Sequence, residues 1–215
     1  MVELSPLADM RENYTAGQLS EQEVADSPFV QFENWFAEAQ ASEVYEPNAM
    51  TVVSVSPEGQ PSARMVLLKG FSEAGLVFYT HYHSRKAREM LATQKVAAVF
   101  FWGPLERQVR IEGDVKKAES EVSDAYFASR PRGSQLGAHV SPQSEVIPDR
   151  EYLVQRQVEL EAQFEGRDIP RPEDWGGLVI VPRMFEFWQG RPSRLHDRIR
   201  YDLQEQNWSY QRLAP

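Results

Sequence analysis

"ERQVRIEGDVKKA", residues 106–118, places Val109, Ile111 and Val115 on one side of an extended chain and Glu106, Gln108, Arg110 and Glu112 on the other. A period of two is the mark of a strand with one face on an apolar core and one face in water. Four further β-rich runs precede it: "AMTVVSV" (49–55), "ARMVLLKG" (63–70), "GLVFYT" (75–80) and "VAAVFFW" (96–102), with "SPEGQ" and "SEAG" as turn signals. Five successive strands predict a sheet that closes on itself.

Outward from that core the pattern turns helical. "DSPFVQFENWFAEAQ" (26–40) offers Ser27 as N-cap and Pro28 at the first helical position, then sets Phe29, Phe32 and Phe36 on one face. "SRKAREMLATQ" (84–94), "SEVSDAYFASR" (120–130) and "REYLVQRQVELEAQFEG" (150–166) read as further helices, the last ended by Gly166. "GGLVIV" (176–181), "MFEFWQG" (184–190) and "NWSYQRLAP" (207–215) return to strand. The expectation is an α+β chain, a small and mostly antiparallel β-barrel with flanking helices.

Composition narrows the function. The 215 residues suit one ordinary domain with appendages, and the longest apolar runs fall far short of the ~20 residues of a membrane helix. A soluble, cytoplasmic protein is expected. There is no cysteine, which excludes thiol chemistry, and the four histidines show no metal-ligand spacing, so no metal is expected. A net charge of −9 argues against nucleic acid as a partner. The charge is uneven, however. Residues 1–57 hold one basic and ten acidic side chains, whereas 58–117 hold ten basic and six acidic, and 191–215 hold five and three. Two segments far apart in sequence thus run against the overall sign, as an anion site would require.

The cations fall into three clusters. "RMVLLK" puts Arg64 and Lys69 at the ends of one strand, and "YTHYHSRK" puts Ser84, Arg85 and Lys86 at a helix start, where free N–H groups favour an anion. Arg64 and Lys69, five apart, face opposite sides of a regular strand, so Lys69 must lie beyond the strand end or a bulge to share a site. "YFASRPRGSQ" sets Tyr126 and Arg130 one helical turn apart, with Pro131 stopping the helix and Ser134 in the turn that follows. "FWQGRPSRLHDRIRYD" (187–202) carries the third cluster, in which a spacing of two puts Arg194, His196 and Arg198 on one face of an extended segment and turns Asp197 away as a salt-bridge partner. Each group alone reads equally as a solvated cation. No GxGxxG or GxxxxGK[ST] loop is present, so any phosphate must be held by side chains and helix ends.

Taken together, "RMVLLK", "FYT" with "SRKA", "ERQVRIEG", "YFASRPRGSQLGAHVSPQS" and "FWQGRPSRLHDRIRY" with the closing "RLAP" resemble, in order and spacing, the signature stretches of the pyridoxamine 5′-phosphate oxidase family. The likeness runs from about Arg11 to the C-terminus. It implies an FMN-binding split β-barrel over residues 26–215, preceded by a flexible segment, 1–25, able to cover the active site. It implies a homodimer with FMN at the subunit interface, oxidising pyridoxamine 5′-phosphate and pyridoxine 5′-phosphate with oxygen to pyridoxal 5′-phosphate.

Carried over residue by residue, the resemblance assigns the flavin to Arg64, Met65, Val66, Leu67, Leu68, Lys69, Tyr79, Thr80, Arg85, Lys86, Gln108, Gln143, Ser144, Trp188 and Arg198. It assigns the substrate to Arg11, Tyr14, Lys69, Tyr126, Arg130, Ser134, Arg194 and His196, with Arg194 and His196 beside the reacting carbon. Two other readings keep part of the pattern: an FMN split-barrel oxidoreductase acting on another phosphorylated substrate, and a flavin or pyridoxal phosphate carrier without turnover.

Overall fold

A computed structural model of the chain describes Met10 and residues 12–215. The described residues form nine strands and five α-helices, the α+β split-barrel class expected. The strands are β1 (Ala49–Val55), β2 (Pro61–Leu67), β3 (Gly70–Ser72), β4 (Gly75–His81), β5 (Lys95–Trp102), β6 (Arg107–Lys117), β7 (Trp175–Gln189), β8 (Asp197–Gln204) and β9 (Asn207–Arg212). The helices are α1 (Pro28–Ala41), α2 (Arg85–Thr93), α3 (Ser120–Ser129), α4 (Arg132–Val140) and α5 (Arg150–Gln163). The strand order is β2-β1-β5-β6-β7-β4-β3, with β8 on β7 and β9 on β8. The pairs β1/β2, β3/β4, β4/β7, β7/β8 and β8/β9 are antiparallel. No described helix is long and apolar enough to cross a membrane.

The chain divides into two compact units, with β5, β6 and β7 each contributing residues to both. The first comprises the chain through Pro47, Val99–Ile111 and Arg183–Pro215. Its core is aromatic: Phe32, Trp35, Phe100, Trp102, Phe185, Phe187 and Tyr201 are buried. α1 starts at Pro28 as the sequence suggests, although Ser27 makes no side-chain cap. Phe32 is buried while Phe29 and Phe36 are half-buried, and Trp35 and Ala39 complete the inner face. The alternation in β6 holds, with Val109, Ile111 and Val115 buried and Gln108 half-buried. From Ala16 onward the N-terminal segment is strapped down. Ala16 N donates to Glu106 at 2.8 Å, Leu19 N to Asp197 at 3.1 Å, and Tyr201 Oη to the Ala25 carbonyl at 2.6 Å.

The second unit comprises Asn48–Ala98 and Glu112–Pro182. β1 and β2 pair so that Val52 faces Arg64 and Ser54 faces Ser62, and β1 buries Met50, Val52 and Ser54. β4 packs against the start of β7 at a point where only glycine fits. Gly75 has φ +129°, and a Cβ there would stand 2.2 Å from the Ile180 carbonyl oxygen. A smaller apolar cluster of Phe127, Leu136, Ala138, Val140, Leu160, Ile169 and Trp175 seats α3, α4 and α5.

The structure corrects three local expectations. "GGLVIV" and "MFEFWQG" are one 15-residue strand, β7, which runs through a buried Pro182. Proline lacks only its N–H, so a strand can pass through it where that donor is not needed by the ladder. Second, Pro131 ends α3 but starts α4, because its fixed φ suits a helix N-terminus; its carbonyl accepts from Ser134 N at 2.8 Å. Ser134 is therefore an exposed residue of α4 and not part of a turn. Third, "ARMVLLKG" is not one strand: β2 ends at Leu67 and Gly70 opens the three-residue β3, which has no period of its own to read in sequence.

Candidate active site

The second unit contains a cleft of about 640 Å³, and the expected cations gather in it. β2 supplies Arg64, Met65, Val66 and Leu67; Lys69 follows the strand end, its N–H donating to the Val77 carbonyl at 2.8 Å. Of the two placements the spacing of five allows, a strand end or a bulge, the strand end is the one found. β4 supplies Tyr79 and Thr80, the start of α2 Arg85 and Lys86, α3 Tyr126, its C-cap Arg130, the loop after α4 Gln143 and Ser144, and the start of β7 Trp175. Among the described residues five cations line the cleft and no carboxylate does, in a chain of net charge −9.

Arg64 is held from behind. Its Nη1 donates to Ser54 Oγ at 2.7 Å and its Nη2 to Ser62 Oγ at 2.6 Å; Glu89 of α2 lies 3.8 Å away. Both serines also donate to Glu89, and Arg85 Nε does so at 2.7 Å, one helical turn along. Burial opposes charge on Glu89, but these hydrogen bonds and the charge of Arg85 win and hold its pKa at about 2. The carboxylate is thus a fixed counter-charge on the far side of Arg64.

Lys86 is nine-tenths buried, and its Nζ donates to Thr80 Oγ1 at 3.1 Å and Gln143 Oε1 at 3.4 Å. Burial, with the like charge of Arg64, pulls its pKa down to about 8. An ammonium this strained gains from an anion beside it. Gln143 Oε1 also accepts from Thr80 Oγ1 at 2.7 Å and His81 N at 3.2 Å, so one neutral oxygen collects donors that a phosphate oxygen could take. Ser144 next to it sits in the left-handed region, φ 73°. Leu68, expected at the site, is a core residue instead, its backbone paired with Asn48.

At the other side of the cleft three rings run nearly parallel: Tyr79 on Tyr126 at 3.8 Å and on Trp175 at 5.4 Å. The Arg130 guanidinium lies over Trp175 at 4.6 Å, and its Nη1 is buried without a hydrogen-bond partner among the described residues. Burial lowers the Arg130 pKa. A buried guanidinium N–H with no acceptor is costly to leave unmade, which makes it a ready partner for an anionic oxygen.

The first unit holds a separate cleft of about 340 Å³, lined by Met10, Glu12, Asn13, Tyr14, Arg191, Ser193, Arg194 and His196. A turn replaces the extended segment expected for Arg194, His196 and Arg198. Pro192–Arg194 is a 3₁₀ turn with Ser193 and Arg194 at φ 58° and 62°, and β8 starts only at Asp197, so the spacing of two does not set a common face. His196 Nδ1 accepts from Arg191 N at 3.1 Å, which places the ring proton of the neutral imidazole on Nε2. Burial and the Arg194 charge lower its pKa, against the pull of Asp197. The Tyr14 and Trp188 rings lie 5.8 and 4.7 Å from it. Asp197 is the salt-bridge partner expected, for Arg212 at 2.7 Å and Arg191 at 3.5 Å.

Trp188 and Arg198 face each other across β7 and β8, and Arg198 Nε donates to buried Glu186 at 2.8 Å. Gln108, Trp188, Arg198 and Ser134 line neither of these clefts, and Arg11 lies outside the described residues. Two site features escaped the sequence reading. Glu89 carried a usable signal, its i,i+4 spacing from Arg85; Trp175 at the mouth of β7 carried none.

Comparison with known proteins gives this geometry a family. The family model described as pyridoxamine 5′-phosphate oxidase matches residues 36–164, and that described as the pyridoxine 5′-phosphate oxidase C-terminal dimerisation region matches 175–215. The chain is 54% identical over 209 residues to the pyridoxine/pyridoxamine 5′-phosphate oxidase of Synechocystis sp., covering 97% of this chain and 98% of the relative. It is 53% identical over 209 residues to that of Rubrobacter xylanophilus, covering 97% and 96%. Among solved structures, PhzG of Burkholderia lata in complex with tetrahydrophenazine-1-carboxylic acid superposes with TM-score 0.86 at 29% identity, over 92% of this chain and 98% of that one. A pyridoxamine 5′-phosphate oxidase-related, FMN-binding protein of Nostoc punctiforme shares the fold, with TM-score 0.70 at 18% identity over 88% and 98%.

Proposed function

The chain belongs to the pyridoxamine 5′-phosphate oxidase family and is an oxidase, and from that premise we propose that it converts pyridoxamine 5′-phosphate and pyridoxine 5′-phosphate to pyridoxal 5′-phosphate in an FMN-dependent reaction. Oxygen is reduced to hydrogen peroxide, and with the amine substrate water supplies the aldehyde oxygen as ammonia is released. The proposal includes a homodimer with FMN at the subunit interface, one flavin-binding domain over residues 26–215, and a cytoplasmic location.

The observation that carries the reading is a cleft lined, among the described residues, by five cations and no carboxylate, which we read as two anion stations. Arg64, Arg85 and Lys86, with the Thr80 hydroxyl, suit the phosphate of FMN, and the depressed Lys86 pKa together with the donors collected on Gln143 fits a dianion there. Lys69, Tyr126 and Arg130 suit the phosphate of the substrate, where the unpartnered Arg130 Nη1 offers a donor.

FMN, when bound, supplies the acceptor for a hydride equivalent from the substrate's C4′ carbon. This chain's residues bind and orient. Lys69 and Arg130 fix the substrate phosphate and with it the lateral position of the ring. Tyr14, Arg194 and His196 are assigned to the substrate ring. His196 presents Nε2–H, a donor, so its task is to hold a substrate oxygen or nitrogen in place while the departing proton passes to water. Adding pyridoxine 5′-phosphate to the aerated, FMN-loaded protein should produce the pyridoxal 5′-phosphate chromophore with matching hydrogen peroxide; neither product from fully flavin-loaded protein overturns the reading.

A further inference from the structure

We propose that Trp175 is the positioning residue for Arg130, its indole face holding the guanidinium so that one N–H stays free for the substrate phosphate; the inference rests on the functional reading above. Arg130 caps α3 where the helix ends, with extended backbone. A long side chain at such a place has many rotamers, and a half-buried one whose Nη1 is buried and unbonded should swing that N–H toward water or a carbonyl. It does neither. Its Cζ sits 4.6 Å over the Trp175 ring and 5.6 Å from the Phe127 ring, so the aromatic quadrupoles supply the attraction that a hydrogen bond or carboxylate otherwise would. A carboxylate in that role would cancel the charge and repel the phosphate. An indole face holds the cation without neutralising it.

Trp175 is itself rigid. It is 5% exposed, its ring is parallel to Tyr79 and Tyr126 within 12° and 4°, and its carbonyl accepts from Arg171 Nη1 at 2.6 Å. Arg171 Nε in turn donates to Asp124 of α3 at 2.6 Å, which ties the backbone of Trp175 to the helix that carries Arg130. The platform and the cation it holds are thus fixed to one frame.

The test uses the FMN-loaded protein with pyridoxine 5′-phosphate, comparing Trp175→Leu, Trp175→Phe, Arg130→Ala and the double variant Arg130→Ala/Trp175→Leu. Trp175→Leu should raise KM roughly tenfold with kcat within about twofold and flavin content unchanged, because a well-placed Arg130 holds the substrate equally in ground and transition state. Trp175→Phe, which keeps a weaker aromatic face, should recover part of the loss. In the Arg130→Ala background, Trp175→Leu should add nothing, since the cation it positions is gone. Should Trp175→Leu fail to fold, Trp175→Phe in both backgrounds decides by the same criterion. An unchanged KM, or an equal rise with and without Arg130, overturns the inference and leaves the functional reading intact. An Arg130→Ala variant with parental KM overturns both.

Discussion

Arg64 on β2 and Glu89 on α2 form an ion pair 3.8 Å long, with Ser62 Oγ between them, accepting from the guanidinium at 2.6 Å and donating to the carboxylate at 2.7 Å. The pair welds strand to helix behind the cleft. Because the folded pKa of Glu89 is about 2, below the ordinary carboxylate value, its contribution to stability is present above that ordinary value and is lost as pH falls toward 2. Glu89→Gln should cost about 1–3 kcal/mol at pH 7 and flatten the acid limb of the unfolding profile. Urea denaturation of both proteins between about pH 2.5 and 7 checks this; parallel profiles would remove Glu89 from the account.

Flavin affinity should depend on the two cations that Thr80, Ser54 and Ser62 arrange. Arg64→Ala and Lys86→Ala are each expected to weaken FMN binding by about 1.5–3 kcal/mol, since on the proposed reading each would remove a charge-assisted hydrogen bond to the phosphate. Fluorescence titration of the apoprotein measures it, and affinities equal to the parent's would clear both residues from the flavin site.

On the proposed reading, Lys86 should also give FMN binding a pH dependence. It grips an anion only when protonated, and in the free protein it deprotonates near pH 8. Affinity should therefore fall above that pH, as the free form loses its proton first. Titrations from about pH 6.5 to 9.5 should show the decline in the parent and not in Lys86→Met.

Much of this site was legible from residue types and spacing. Arg64, Arg85, Lys86, Tyr126 and Arg130 stand where strand period, helix start and helical turn put them, because local periodicity dictates which side chains share a face. The 191–197 turn was not legible. Two residues with positive φ, Ser193 and Arg194, break the extended path, and neither is a glycine that would announce it. α4 hid for a related reason: Pro131 is both a stop for one helix and a start for the next. Trp175 reaches the cleft through long-range packing, which no local pattern encodes.

The imidazole and guanidinium of the third cluster should affect turnover more than flavin binding. Arg194→Ala and His196→Ala are expected to lower kcat/KM roughly ten- to a thousandfold, about 1.4–4 kcal/mol, with FMN retained. If His196 works as a donor through Nε2, His196→Gln should recover more activity than His196→Ala; equal losses would argue against the donor role.

Assembly offers an independent check. A flavin bound between subunits stabilises the dimer by mass action, so the FMN-loaded protein should sediment near twice 24.7 kDa and FMN should shift a dilute apoprotein toward that species. A fully loaded, active monomer would sink the interface.

The most direct measurement is anaerobic single turnover. FMN-loaded protein mixed with pyridoxine 5′-phosphate in the absence of oxygen should lose its flavin absorbance and yield one pyridoxal 5′-phosphate per flavin, whereas pyridoxine without the phosphate should do so far more slowly at equal concentration. A flavin that stays oxidised with the phosphorylated alcohol, or that is reduced equally well by both alcohols, would contradict the claim that this cleft holds a substrate phosphate beside its cofactor.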